Sequence, residues 1–177
     1  MGEYDAWLRA MIITHKEHSA WSLAVPLGRL LAQATVSIAE RGAWLEDSQC
    51  PLVLAPIPSR RATVRSRGHN PSLRMTRAAV AHLRSSGVDA RTLPLLHLRL
   101  PVRDSVGLNA AARRQNLSDA FAVAPRARLA LRSLAGSARI VVCDDVITTG
   151  ATLREACSAL ALAGLPAAGV ATVAAVH

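Results

Sequence analysis

Hydrophobic positions along the chain follow two periods. Over residues 4–18, Trp7, Leu8, Met11, Ile12 and His15 recur at helical spacing, and over 24–39 Leu23, Leu27, Leu30, Leu31, Ala34 and Ile38 do the same. Each stretch predicts an amphipathic helix with one buried face; Pro26 fits only the first turn of the second. Leu52–Ala55 and Ile140–Cys143 are short unbroken apolar runs, the pattern of strands covered on both faces. Asn70 followed by Pro71 predicts a helix start. Leu73, Thr76, Val80 and Leu83 give that helix its inner face, and Gly87 ends it. Leu153, Ala156, Cys157 and Leu160 predict another helix, ending near Gly164, and Ala168–Ala175 a last buried strand. Strands and helices alternate after Leu52, so the chain predicts an α/β fold, a mostly parallel central sheet flanked by helices.

Other stretches carry less pattern. Leu93–Leu100 is apolar but interrupted by Pro94, Asp104–Gly107 reads as a loop, and Asn109 caps a helix carrying Ala110–Ala112, Arg113, Arg114 and Asn116. A weakly patterned segment between strong elements is often functional or mobile. Arg126–Arg139 reads as surface. Ala156–Val176 is uncharged, but Gly164, Pro166 and Gly169 break it, so no membrane span is expected.

With 177 residues, 51% hydrophobic and 19% charged, one globular domain is expected. The net charge is +9, and Lys16 is the sole lysine among the basic residues. Arginine suits bidentate phosphate recognition, so the charge fits a polyanionic small ligand, a nucleic acid, or plain solubility. Cys50, Cys143 and Cys157 have no Cys-x-x-Cys spacing, which predicts neither a zinc site nor a disulfide framework and suits a reducing, cytoplasmic setting. Glu3 and Asp5 stand where a signal peptide would be basic. His15 and His18 flank Lys16 without a third metal ligand at suitable spacing.

The chemistry concentrates in Arg139–Leu153. An apolar strand ends at two adjacent carboxylates, Asp144 and Asp145. Thr148, Thr149, Gly150, Ala151 and Thr152 then lead into a helix. A loop feeding a helix N-terminus offers unpaired N–H groups to a phosphate, Gly150 lets the backbone come close, and the threonine hydroxyls donate to the same oxygens. The carboxylates would repel that phosphate; they suit sugar hydroxyls or a magnesium ion. Each half also has a plain reading, as a solvated turn and as a helix cap. Two further stretches invite the same question. Pro56, Ile57, Pro58, Ser59, Arg60 and Arg61 form a stiff turn after the Leu52–Ala55 strand, where open α/β sheets bind ligands. Arg65 and Arg67 precede the Asn70 cap in a basic loop.

Four ordered motifs, V-x-A-P-I-P, R-x-R-G-x-N, G-L-x-x-x-x-R-x-x-N-x-x-x-A-F and V-V-C-D-D-V-I-T-T-G-A-T, together resemble the ComF family of competence-associated, phosphoribosyltransferase-like proteins. The last motif resembles the phosphoribosyl pyrophosphate motif of type I phosphoribosyltransferases. The likeness covers roughly 52–176, and Tyr4, Ile12, Ile13 and Lys16 resemble the family's helix ahead of its core. Two features depart from the pattern. The four-cysteine zinc-binding region of many members has no counterpart, and Ser105–Val106 stand where a glutamine often precedes Gly-Leu.

The resemblance implies the type I phosphoribosyltransferase fold, with residues 1–48 forming part of a helical hood and 49–177 the core. It implies transfer of the phosphoribosyl group to an unidentified acceptor with release of pyrophosphate. Asp144 and Asp145 would bind the ribose hydroxyls and, directly or through water, magnesium. Thr148–Thr152 would cradle the 5-phosphate, and Pro56–Arg60 would form the pyrophosphate loop, which in related enzymes often holds a cis peptide. Arg67, Asp144 and Asp145 would serve catalysis, with arginine and magnesium neutralising the leaving group, and Arg99–Arg113 would cover the site as a mobile loop. The transition state would resemble an oxocarbenium ion, and no residue nominates itself as general base. The alternative is a non-catalytic protein that senses phosphoribosyl pyrophosphate or associates with single-stranded DNA and the competence machinery; an aromatic content of 3% weighs against base stacking. A homodimer is a further implied state. A P-loop is excluded because no Gly-Lys-Ser/Thr follows a glycine-rich loop.

Overall fold

The computed structural model describes residues 2–3, 6–44, 50–99, 120–132 and 138–176. Its main sheet is built from β1 (Gly2–Glu3), β2 (Leu52–Pro56), β3 (Ala90–Thr92), β6 (Arg139–Ile147) and β7 (Gly169–Ala175). Their order is β1-β7-β6-β2-β3, with every pairing parallel. A separate antiparallel pair joins β4 (Leu96–Leu98) to β5 (Phe121–Val123). The helices are α1 (Ala6–Glu17), α2 (Ala24–Arg41, entered through a 3-10 turn), α3 (Arg61–Arg67), α4 (Pro71–Ser85), α5 (Ala127–Arg132) and α6 (Ala151–Leu162). This is the expected α/β architecture.

The period of two along each central strand sorts side chains into two layers. Leu52 and Leu54 of β2, with Val141 and Cys143 of β6, pack under α2 and α4, against Leu27, Leu31, Met75, Ala79 and Leu83. Leu8 and Ile12 of α1 join the same layer. Val53 and Ala55, with Ile140 and Val142, pack on the other side against Leu153, Ala156 and Leu160 of α6 and Phe121 of β5. Each buried leucine contributes roughly 1.5–3 kcal/mol. The helices expected to form a hood therefore lie directly on the first face of the sheet.

α2 and α4 approach closely at Gly28, where an added Cβ would stand 2.6 Å from Ala78 Cβ and 2.8 Å from Ala79 N. α4 starts as its sequence predicts. The Asn70 side chain accepts from Leu73 N–H at 3.0 Å, with Pro71 at the first helical position. Trp21–Arg41 is, among the described residues, the one helical span long and apolar enough to cross a membrane; its inner face is the Leu27–Leu31 stripe packed on the sheet. The uncharged stretch Ala156–Val176 divides into α6 and β7.

Three expectations are corrected. The basic loop before Asn70 is largely α3, a helix with a single bulky aliphatic side chain, Val64, and hence no periodic signal. The surface stretch after Arg126 contains α5, whose Ala127 is buried. The strand that should stop at Cys143 continues through Asp144 and Asp145 to Ile147, because β7 pairs with it at Asp144 and again at Val146 and Ile147. Pairing partners override the low strand propensity of aspartate. The Asp104–Gly107 loop, the helix capped by Asn109 and the covering segment, apart from Arg99, lie outside the described residues.

Candidate functional site

β2 leads through α3 and α4 to β3 on one side of the sheet order, whereas β6 leads through α6 to β7 on the other. α4 and α6 consequently cover opposite faces. The point between β2 and β6 is thus where the strand order reverses, and in open α/β sheets ligands bind beyond the carboxyl ends of the strands at such a point. β2 ends at Pro56, paired with Cys143, and turns away with Ile57 N–H donating to Cys143 O at 2.9 Å. Beyond that pair, β7 is the one strand neighbour of β6 among the described residues. Asp144 and Asp145 are the first residues past the point where β2 leaves.

The period of two also slips here. Val141 and Cys143 share the first layer, yet Val146 packs with that layer and Ile147 with the second. The two aspartates occupy the slip, so the ladder alone does not fix where their side chains point.

Their environments differ. Asp145 is 7% exposed, and its Oδ2 meets Lys16 Nζ of α1 at 2.6 Å. Asp144 is half-buried, and its Oδ1 accepts from Asp145 N–H at 2.9 Å. Burial pushes the Asp144 carboxyl up to about 6, with the charge of Asp145 adding to it, while the Asp145 N–H and Lys16 pull the other way. A desolvated acid beside a like charge makes Asp144 a candidate functional position. Cys143 is a different case: burial, then Asp144, keeps it a thiol, and its Sγ lies 3.5 Å from Val141 O.

Directly after β6 comes the Thr148–Gly150 turn. Thr148 and Thr149 are exposed, and Thr149 Oγ1 accepts from Ala151 N–H at 3.3 Å. Gly150 has φ +70°, a left-handed conformation that glycine adopts without strain. Its carbonyl accepts the first helical bond of α6, from Arg154 N–H at 2.9 Å. Arg154 folds back over the turn, its Nη1 3.1 Å from where a Gly150 Cβ would lie; the sequence reading missed this residue. Ala151 and Thr152 are exposed in the first helical turn.

On the β2 side, Pro56 and Ile57 are buried, Pro58 and Ser59 half-buried, and Arg60 exposed. Arg60 O accepts from Val64 N–H at 3.0 Å, which starts α3. No cis peptide bond occurs among the described residues. Arg67, at the end of α3, is engaged by Glu17 in an ion pair.

The end of α1 ties these parts together. Ser19 Oγ donates to Arg67 O at 3.3 Å. His15 Nε2 lies 3.3 Å from Pro71 O, and His69 Nε2 lies 3.1 Å from His15 O. A polar cleft of about 510 Å³ between α1 and α3 is lined by Glu17, Ser19, Ala62, Thr63, Ser66 and Arg67. Lys16 is a partner of Asp145 that sequence analysis did not assign to the site; it stood out only as the sole lysine and as part of the resemblance of the N-terminal helix.

Among the described residues no group of three or more His, Cys, Asp or Glu side chains could enclose a metal. Magnesium needs less, since it takes one or two carboxylates and completes its shell with water and substrate phosphate. Asp144, which forms no ion pair among the described residues, fits that requirement. No family model matches the chain, and no curated protein matches it.

Proposed function

We propose that this chain is a phosphoribosyltransferase of the type I fold, transferring the phosphoribosyl group of phosphoribosyl pyrophosphate to a nucleophilic acceptor and releasing pyrophosphate. The observation carrying this is the meeting of three unlike elements at one reversal of strand order. These are an acidic pair on β6, a hydroxyl-rich turn at the N-terminus of α6, and the Pro56–Arg60 turn at the end of β2.

In this role the amides and hydroxyls of Thr148–Thr152 hold the 5-phosphate, each charge-assisted bond contributing roughly 1.5–3 kcal/mol. The carboxylates of Asp144 and Asp145 accept from the ribose hydroxyls. Arg60 and the neighbouring amides receive the pyrophosphate. Magnesium, held by Asp144 directly or through water, supplies charge neutralisation at the leaving group. Asp144 and Asp145 also face positive charge developing on the sugar, which they stabilise electrostatically. Arg67 reaches the leaving group only by releasing Glu17. A screen for magnesium-dependent pyrophosphate release across nucleobases and amines tests the assignment; no release with any acceptor, and no hydrolysis, would count against catalysis.

One observation favours the non-catalytic alternative, an association with single-stranded DNA. Trp21 is 51% exposed, and the Arg74 guanidinium sits 4.6 Å over its ring. An exposed ring beside a cation would serve as a base-stacking platform if Arg74 moved aside, a feature that composition alone concealed.

A further inference from the structure

We propose that Lys16 is a positioning residue for the candidate site, fixing the orientation of the Asp145 carboxylate and so making helix α1 part of the ligand-binding apparatus. The inference rests on the proposed function for what is bound, but the contact is independent of it. Asp145 lies where the two-residue period of β6 slips, so its side chain needs a partner to hold one direction. The partner is Lys16, 2.6 Å from Oδ2, with Asp145 almost wholly buried.

The lysine is itself held by its neighbours. His15 on one side and Glu17 and Ser19 on the other contact the turn between α3 and α4, through Pro71 O, Arg67 and Arg67 O. The backbone carrying Lys16 is thereby pinned to the segment that follows the Pro56–Arg60 turn. With Oδ2 bound, Oδ1 is the oxygen left for a ligand hydroxyl. Such a supporting contact acts by holding the binding group within a narrow range of geometry.

The test compares the full chain with Lys16→Met, Lys16→Arg and Asp145→Asn, by calorimetry with phosphoribosyl pyrophosphate and magnesium, and separately with inorganic phosphate. The expected result is a loss of roughly tenfold or more in affinity for the full ligand in Lys16→Met. Lys16→Arg, which keeps the charge, recovers most of it. Lys16→Met combined with Asp145→Asn is no worse than the weaker single variant, and phosphate binding is unchanged throughout. Asp89→Asn, which breaks the Arg91–Asp89 pair at the amino end of the sheet, leaves both affinities alone. A crystal structure of Lys16→Met is the arm that needs no ligand: Asp145 should leave its parental rotamer. Parental affinity in Lys16→Met, or an unmoved Asp145, overturns the inference. Failure of the parent chain to bind the full ligand removes the proposed function instead, and the rotamer of Asp145 still decides the role of Lys16.

Discussion

Asp144 and Asp145 are adjacent in sequence but opposite in electrostatic circumstance. Asp145 has Lys16 at 2.6 Å, whereas Asp144 is pushed up to about 6 by burial and by Asp145. The pair should therefore split on mutation. In the folded chain Asp144 holds its proton to higher pH than the ordinary 3.8, so between about 4 and 6 the folded state binds more protons than the unfolded one. Stability from this group is present at low pH and lost as pH rises through 6. Asp144→Asn should stabilise the metal-free protein at pH 7.5 by about 1–3 kcal/mol and do little at pH 4. Asp145→Asn should destabilise by about 1 kcal/mol, because it strands Lys16, which is one-third exposed and partly solvated. Urea unfolding at the two pH values reads both effects.

Gly28 is set by packing. In an isolated helix alanine would gain roughly 1 kcal/mol over glycine. Here its Cβ meets Ala78 Cβ at 2.6 Å and backbone of the same helix at 2.8–2.9 Å, and overpacking costs about 1–3 kcal/mol. Gly28→Ala should lower the melting temperature; an increase would show that α2 and α4 can separate freely.

The fold was legible where burial imposes a period. Leu52–Ala55, Ile140–Cys143, the α2 stripe and the Asn70–Pro71 start each announced an element that is present. α3 was not legible, because a seven-residue helix with one bulky aliphatic side chain has no face to bury. The extension of β6 through its aspartates was not legible either, because a strand edge is stabilised by its partner, here Thr172–Ala175, and not by its own residues. At the site, the residues that would touch a ligand could be named from type and spacing. The contacts of Lys16 with Asp145 and of Arg154 with the Gly150 turn could not, since each is made only by folding.

Trp21 offers a test of the alternative role. If the protein associates with single strands through that surface, oligonucleotide affinity should fall steeply between 50 and 200 mM salt, as about several phosphate contacts require. Trp21→Ala should cost about 1–3 kcal/mol in that affinity. Fluorescence anisotropy with a labelled oligonucleotide measures both; salt-insensitive binding, or full affinity in Trp21→Ala, removes this role for the surface.

The most direct measurement is calorimetric titration of phosphoribosyl pyrophosphate, in magnesium, into the parent chain, Asp144→Asn and Gly150→Val, with inorganic phosphate titrated in parallel. The parent should bind the full ligand. Asp144→Asn should lose about one to two orders of magnitude for it, the equivalent of one charge-assisted bond, while keeping or gaining affinity for phosphate. Gly150→Val should lose both ligands, because φ +70° disfavours a β-branched residue and Arg154 already fills the space beside it. Undiminished binding of the full ligand by Asp144→Asn, or no binding by the parent, would contradict a phosphoribosyl site at the carboxyl ends of β2 and β6.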